Sequence, residues 1–221
     1  SPGDRPKDNS FSHPQLSWRN GKRVFYAALG DGSVACVNAR TGDPIWRVPL
    51  FRAGINATTI VHNNDKLIAI FGVPYEPGQL IALKLPSVEP TNAAAGPLVL
   101  ERKSLELWAA EVSTSTSSPI LVGDTVYVVA EKGDLCAVDA NTGSIKWKLK
   151  LGIEQRNSCP FYADGKLYVP MLDDPAGKGT GEGSEAGTKG ALYIIKPGNQ
   201  PEIPQHAELD GRCFGTPVPD T

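Results

Sequence analysis

Short apolar runs separated by glycine and aspartate turns define residues 117–152. The apolar runs lie at residues 119–122, 125–130, 135–138 and 144–149. The turns between them are Gly123-Asp124, Lys132-Gly133-Asp134 and Asn141-Thr142-Gly143. Runs of about 4–8 residues joined by such turns predict four antiparallel strands in a meander. A meander alone leaves two edges and one apolar face uncovered, so the pattern should recur along the chain.

The pattern does recur, with first-strand positions that match at Pro14, Ile60, Pro119, Pro160 and Pro217. Their spacing of about 40–60 residues is close to the period of propeller blades, with loop insertions in the longer copies. The second copy replaces the Thr-Gly turn with a long connection at residues 86–97. An ordinary β-sandwich would not repeat its turn dipeptides in register.

The repeat predicts an all-β fold, a β-propeller of four-stranded antiparallel blades. The chain would be a single β-propeller domain or fragment, residues 1–221. The blades are expected at about residues 11–52, 55–112, 115–152 and 156–200, with the start of a fifth at 212–221. The glycine-rich stretch 176–190 lacks the spacing of a phosphate-binding loop and is expected to be a hairpin loop in the fourth blade.

A tryptophan recurs on the predicted fourth strands, at Trp46, Trp108 and Trp147. A large aromatic side chain buries about 150–250 Å², so these residues are expected to pack between neighbouring sheets. Gly42 and Gly143 belong to the Thr-Gly turns that precede two of them. We predict that all five residues are structural.

Composition indicates a globular chain and excludes several function classes. Of 221 residues, 40% are hydrophobic and 21% charged, and the net charge of −2 gives no long-range attraction to nucleic acid. No run of about 20 apolar residues exists, so no membrane span is predicted. No signal peptide is visible, and the start at Ser1-Pro2-Gly3-Asp4 is consistent with removal of an export signal.

The four cysteines show no metal-ligand spacing. Cys36 and Cys136 fall on third strands of alternate blades, so they should not pair and are expected to be small buried side chains. Cys159 and Cys213 fall on first strands of adjacent blades. A disulfide between these two is left open.

Two stretches resemble a known motif. Residues 38–46 (NARTGDPIW) and 137–147 (AVDANTGSIKW) are similar to the tryptophan-docking motif, roughly AxDxxTGxxxW, of the PQQ-like (quinoprotein-type) β-propeller repeat family. The second match is full, and the first has Asn for Asp and Cys for the leading Ala. The resemblance implies a ring of about eight blades. Missing blades or self-association would complete it, and an intramolecular four-bladed ring is the lesser alternative.

The family includes PQQ-dependent dehydrogenases and non-catalytic members such as the outer-membrane assembly lipoprotein. The vicinal cysteine pair found in many of the dehydrogenases is absent here, and no motif places a catalytic base or calcium ligands. The resemblance therefore favours a non-catalytic binding or scaffold module, periplasmic or extracellular, with no cofactor, no metal and no catalytic residue. The alternative is a partial propeller of a PQQ-dependent dehydrogenase that uses PQQ with calcium. A carbohydrate-binding or lyase propeller is a third, weaker option.

The approaches to the innermost strands should line the channel of such a ring. Candidate ligand-binding residues there are His13, Asn56, Arg156, Asn157 and Arg212. His13 replaces the small side chain found at this position in the other copies and can titrate near neutral pH. A protein partner or a small ligand would bind at the loop tips or the channel mouth. The simpler interpretation is that these residues are hydrated and structural.

Overall fold

The computed structural model describes residues 11–73, 76–86, 96–152, 157–172, 189–213 and 215–218. These residues form four sheets, each containing a four-stranded antiparallel meander, and one four-residue helix. The predicted all-β class with four-stranded antiparallel sheets is confirmed.

Sheet 1 contains β1 (Gln15–Arg19), β2 (Lys22–Ala28), β3 (Ser33–Asn38), β4 (Pro44–Pro49) and β8 (Leu98–Val99). Sheet 2 contains β5 (Ile60–His62), β6 (Lys66–Ile70), β7 (Leu80–Lys84) and β9 (Glu106–Ala110), the last preceded by helix α1 (Arg102–Leu105). Sheet 3 contains β10 (Ile120–Val122), β11 (Thr125–Val129), β12 (Asp134–Asp139) and β13 (Ile145–Lys150). Sheet 4 contains β14 (Phe161–Ala163), β15 (Lys166–Met171), β16 (Ala191–Lys196) and β17 (Glu202–Glu208).

Equivalent glycines of sheets 1 and 3 accept the same pair of main-chain hydrogen bonds. The Gly32 carbonyl accepts the N–H groups of Leu50 and Phe51, both at 2.9 Å. The Gly133 carbonyl accepts those of Leu151 and Gly152 at 3.0 and 3.2 Å. In all four sheets the register between the third and fourth meander strands shifts by a bulge. A bulge bends the strand and increases its twist.

The chain divides into two compact units. The first comprises residues 1–115 and 140–143 and contains sheets 1 and 2. The second comprises residues 116–139 and 144–221 and contains sheets 3 and 4. The prediction of a single domain stays a prediction.

Each unit has its own apolar core between its two sheets. In the first, Tyr26 and Trp46 of sheet 1 pack with Leu67 and Ile81 of sheet 2. In the second, Tyr127 of sheet 3 belongs to a cluster with Leu167, Val169 and Tyr193 of sheet 4. Full burial of one such aliphatic side chain contributes about 1.5–3 kcal/mol. The cores therefore explain why each meander has a packed face.

Sheet 4 extends beyond the residues expected for the fourth blade. Its outer strand is Glu202–Glu208, beyond the predicted end at residue 200. The strand lacks both tryptophan and the Thr-Gly turn, and it tolerates Pro204 because an edge strand does not need every N–H. No strand is assigned at 215–218, where a fifth blade was expected to begin. The expected hairpin loop at 176–190 lies outside the described residues except for its last two.

The long connection of the second copy also differs from expectation. After the part that lies outside the described residues, it forms β8, which pairs in parallel with β4 through Trp46–Leu98 and Arg47–Val99. The Leu100 N–H then donates to the Arg47 carbonyl at 2.9 Å. The insertion thus adds a fifth strand to sheet 1, a non-local pairing that has no signal in the repeat.

Candidate functional site

The side chain of Trp108 packs against the turn between β12 and β13. The Trp108 indole N–H donates to the Ala140 carbonyl at 3.2 Å, and both residues belong to the first unit. A Cβ built on Gly143 would lie 2.6 Å from Trp108 Cε3. The Lys66 ammonium donates to Asn141 Oδ1 at 2.7 Å. Only glycine leaves room for the indole at this position, and its φ of +75° also favours glycine.

A similar contact occurs in the second unit. The Trp147 indole N–H donates to the Gly198 carbonyl at 2.9 Å, and its ring lies 5.7 Å from that of Tyr127. Gly198 belongs to the connection between β16 and β17, which has Pro-Gly-Asn in place of Thr-Gly. This turn was not predicted because the prediction relied on the Thr-Gly dipeptide, whereas the contact needs only an exposed carbonyl.

The remaining predicted structural residues are Trp46 and Gly42. Trp46 is only 3% exposed and lies 5.8 Å from the Tyr26 ring. A Cβ built on Gly42 would meet no described atom within 4 Å, its chain neighbours excepted. These contacts are compatible with the structural role expected for the tryptophans and turn glycines, which stays a prediction.

The candidate ligand-binding residues differ in their surroundings. Asn56 is half-buried, and its amide donates to the Ser115 carbonyl at 3.4 Å. The Asn157 main-chain N–H donates to Thr116 Oγ1 at 3.0 Å. His13 and Arg212 are exposed. Arg156 lies outside the described residues. The two asparagines therefore contribute contacts between loops, and a ligand-binding role for the set stays a prediction.

All four cysteines are free, so the disulfide left open between Cys159 and Cys213 is not formed. Cys159 Sγ instead accepts the main-chain N–H of Ser118 at 3.2 Å. Burial raises the pKa of Cys36 and of Cys136 to about 12. Both thiols therefore stay protonated at neutral pH, and both are buried, as expected for small core side chains.

A buried ion pair links the β2–β3 turn of sheet 1 to β4. Arg47 Nη1 lies 3.1 Å from Asp31 Oδ2, and both side chains are almost fully buried. Asp31 Oδ1 also accepts the Ser33 main-chain N–H at 3.0 Å. The carboxylate is thus held by the chain immediately around it.

A pocket of about 580 Å³ lies on sheet 1, where the β1–β2 and β3–β4 turns meet. Its chemistry is cationic and aromatic. Trp18 is 60% exposed, and the Arg23 guanidinium carbon lies 5.1 Å from the centre of a Trp18 ring. The full lining is Trp18, Gly21, Lys22, Arg23, Asn38, Ala39 and Arg40. The pocket was not predicted from the sequence because a net charge of −2 conceals a local cluster of cations.

The described residues contain no group of three or more His, Cys, Asp or Glu side chains placed to hold a metal ion. Within the same part of the chain, no helix has the length and apolar character needed to cross a bilayer.

Comparisons with known proteins show what the chain resembles. Residues 97–182 match a family model described as outer membrane protein assembly factor BamB. The crystal structure of BamB from Moraxella catarrhalis superposes with a TM-score of 0.61 at 17% identity, covering 96% of this chain and 52% of that one. The Cps50 (Swd1) β-propeller domain of Myceliophteria thermophila superposes with a TM-score of 0.55 at 16% identity, covering 89% and 57%. No curated protein matches the chain.

These matches confirm the β-propeller fold. The resemblance to PQQ-like repeats of the BamB type, expected from the turn motifs, is confirmed as well. The chain spans about half the length of the solved structures it matches.

Proposed function

We propose that this chain is a non-catalytic PQQ-like β-propeller repeat domain that acts as an extracytoplasmic binding or scaffold module. The observation that supports this most directly is the match of residues 97–182 to the family described as outer membrane protein assembly factor BamB. The crystal structure of BamB from Moraxella catarrhalis also superposes on 96% of this chain. A protein partner is the favoured ligand.

The geometry of the candidate residues is consistent with binding rather than catalysis. The Asn56 amide and the Asn157 main-chain N–H donate to neighbouring loops, which is a structural use of polar groups. The one pocket described above presents an exposed Trp18 and the exposed Arg23 and Arg40. Tryptophan and arginine are the residue types that most often contribute large binding energies in protein interfaces.

The alternative function, a PQQ-dependent dehydrogenase, would need calcium ligands. The described residues bring no such cluster of carboxylates together. The described residues therefore supply no calcium site of this kind for PQQ.

A thermal-shift experiment on the full chain tests the proposed function. PQQ with Ca²⁺ should leave the melting temperature unchanged, with each component alone as the control. A ligand present at 100 times its Kd stabilises a protein by about 2.7 kcal/mol, which corresponds to several degrees for a chain of this size. A shift of that magnitude, seen only when PQQ and Ca²⁺ are added together, would contradict the non-catalytic role.

Location is tested separately, by fractionating cells that express the native gene product. The proposal expects the protein outside the cytoplasm. Its recovery with soluble cytoplasmic markers would contradict the extracytoplasmic part of the proposal, while leaving the binding role open to the other tests.

A further inference from the structure

Sheets 1 and 3 correspond residue by residue around the fourth strands of their meanders. Trp46 lies opposite Cys36 in sheet 1, and Trp147 lies opposite Ala137 in sheet 3. In both sheets the β-bulge follows immediately after this pair. The glycine that accepts two main-chain N–H groups lies at the same distance along the chain from the tryptophan in each sheet. Each residue of β4 therefore has a counterpart in β13.

The outer edges of these two strands differ. β4 is covered by β8, which pairs with it in parallel and places Val99 opposite Arg47. The Leu100 N–H donates to the Arg47 carbonyl at 2.9 Å, so the main chain of Arg47 faces outward from the meander. β13 is the last strand of sheet 3, and no described strand pairs with its outer side. The counterpart of Arg47 is Lys148, so the main chain of Lys148 faces this open edge.

The charges beside the two edges also differ. In sheet 1 the Arg47 guanidinium forms its buried ion pair with Asp31, at 3.1 Å. In sheet 3 Lys148 takes the place of Arg47, and Lys132 takes the place of Asp31. Both lysines are exposed. Two cations therefore stand in sheet 3 where a cation and a carboxylate stand in sheet 1.

Two carboxylates of β12 contact other lysines of the same edge strand. Lys146 Nζ lies 3.2 Å from Asp139 Oδ2, and Lys150 Nζ lies 3.7 Å from Asp134 Oδ2. Lys148, between these lysines, lies opposite a buried cysteine. In the part of the chain that the structure describes, no carboxylate pairs with it. A carboxylate for Lys148 must therefore come from another segment.

We propose that the outer edge of β13 binds an extended segment of a partner polypeptide in which an apolar residue is followed by an acidic one. The segment pairs in parallel with β13, as β8 pairs with β4. Its apolar residue takes the place that Leu98 has in sheet 1, opposite Trp147. Its acidic residue takes the place of Val99, opposite Lys148. This inference rests on the proposed binding role and names the chemistry of the partner segment.

The same lysines make the edge selective. An edge strand presents unpaired main-chain N–H and C=O groups, which are a template for another strand. Like charges directly opposite one another destabilise strand pairing, whereas opposite charges stabilise it. Lysines at 146, 148 and 150 therefore disfavour basic segments and favour an acidic one. The edge of β4 carries no such row of lysines and is covered by the chain itself.

The test uses isotope-labelled full chain and peptides that copy residues 96–101, the segment that contains β8. The probe is acetyl-Gly-Pro-Leu-Glu-Leu-Glu-amide, which has glutamate at the position of Val99. One control has lysine at that position. The other has N-methylleucine at the position of Leu100, because it cannot donate to the Lys148 carbonyl. The two controls separate the contribution of charge from that of main-chain pairing.

We expect saturable amide shift changes at Trp147, Lys148 and Leu149 with the acidic probe and none with the N-methylated peptide. At low salt the acidic probe should bind at least about 3-fold more tightly than the lysine peptide, because its carboxylate meets a cation. Added salt should reduce this preference.

Variants of the chain locate the site. Lys148→Gln should remove the preference for the acidic probe, and Lys148→Glu should reverse it. The matched control is Lys103→Glu, at an exposed lysine of helix α1, which should keep the preference of the wild type. Circular dichroism of each variant shows whether it is folded. If Lys148→Glu is not, Lys148→Gln and the N-methylated peptide decide the result.

Four results would overturn the inference. The first is the absence of shift changes on β13, or changes confined to β4, which would mean that the peptide replaces β8. The second is equal binding by the N-methylated or the lysine peptide. The third is binding to phosphatidylglycerol vesicles that Lys148→Glu removes, with no response to the peptide, which would make an anionic membrane surface the partner. The fourth is self-association in sedimentation that Lys148→Glu removes, which would make a second copy the occupant.

These outcomes are distinguishable from failure of the proposed function. None of them uses PQQ, calcium or cell fractionation. A chain that binds no strand peptide but also no PQQ would contradict only the inference about β13.

Discussion

Gly143 and Gly42 occupy the same position of the same kind of turn, yet only one of them is covered. A side chain at Gly143 would collide with Trp108, whereas one at Gly42 would meet no described atom beyond its chain neighbours. The repeat motif therefore determines the backbone of the turn, and the neighbouring residues determine its role. One turn is filled by an indole, and the other lines a pocket.

The largest expected difference in stability is between variants of the tryptophans in the two regions, Trp108 and Trp18. Trp108→Ala should lower the free energy of unfolding by about 3–5 kcal/mol, because it leaves a cavity and an unpaired carbonyl at Ala140. Trp18→Ala, on the open side, should change it by less than about 0.5 kcal/mol because the side chain is mostly exposed. Urea denaturation of both variants measures the difference, and equal losses would contradict the contrast between the regions.

Substitution of the two turn glycines should give a smaller difference in stability. Gly42→Val and Gly143→Val share the cost of a positive φ, about 1–2 kcal/mol. Gly143→Val adds the clash with Trp108, about 1–3 kcal/mol of overpacking. Chemical denaturation should therefore rank Gly143→Val as the less stable variant. An equal effect would mean that the indole does not sit on the turn in solution.

These two predictions show how much the sequence could provide. The Thr-Gly turns are local signals, so the third and fourth strands of the first and third copies could be predicted together with Trp46 and Trp147. The second copy lacks this turn, and Trp108 was assigned from the recurrence of tryptophan on the fourth strand. β8 and β17 could not, because one is a short parallel pairing formed by an insertion and the other has neither turn motif nor tryptophan.

The pocket on sheet 1 could not be predicted from the sequence either. It brings together Trp18 of β1 and Arg40 of the β3–β4 turn, and their proximity follows from the strand register. The sequence predicts Asn56 as a ligand-binding residue, but it cannot show that the Asn56 amide donates to the Ser115 carbonyl. Arg156 lies outside the described residues.

Alkaline pH should weaken the fold through the buried thiols. Burial raises the pKa of Cys36 and Cys136 from the ordinary value of 9.0 to about 12. The unfolded chain therefore loses these protons first. The contribution of these two thiols to the free energy of unfolding should be fully present below pH 9. It should fall between about pH 9 and 12, by on the order of 1 kcal/mol per pH unit for each thiol. Cys136→Ala should flatten this dependence in denaturation measured across that range, and an unchanged slope would contradict the assigned burial.

The smallest expected effect involves one lysine. Lys66 donates to Asn141 at 2.7 Å on the filled turn, so Lys66→Met should cost about 0.5 kcal/mol or less at this exposed site. Thermal melts of the variant and the wild type measure this loss, and a loss of several kcal/mol would contradict the surface character of the contact.

Calorimetric titration of the full chain with PQQ, in the presence and in the absence of Ca²⁺, tests the non-catalytic role most directly. We predict no saturable heat of binding in either case. Stoichiometric, calcium-dependent binding of PQQ would contradict that role.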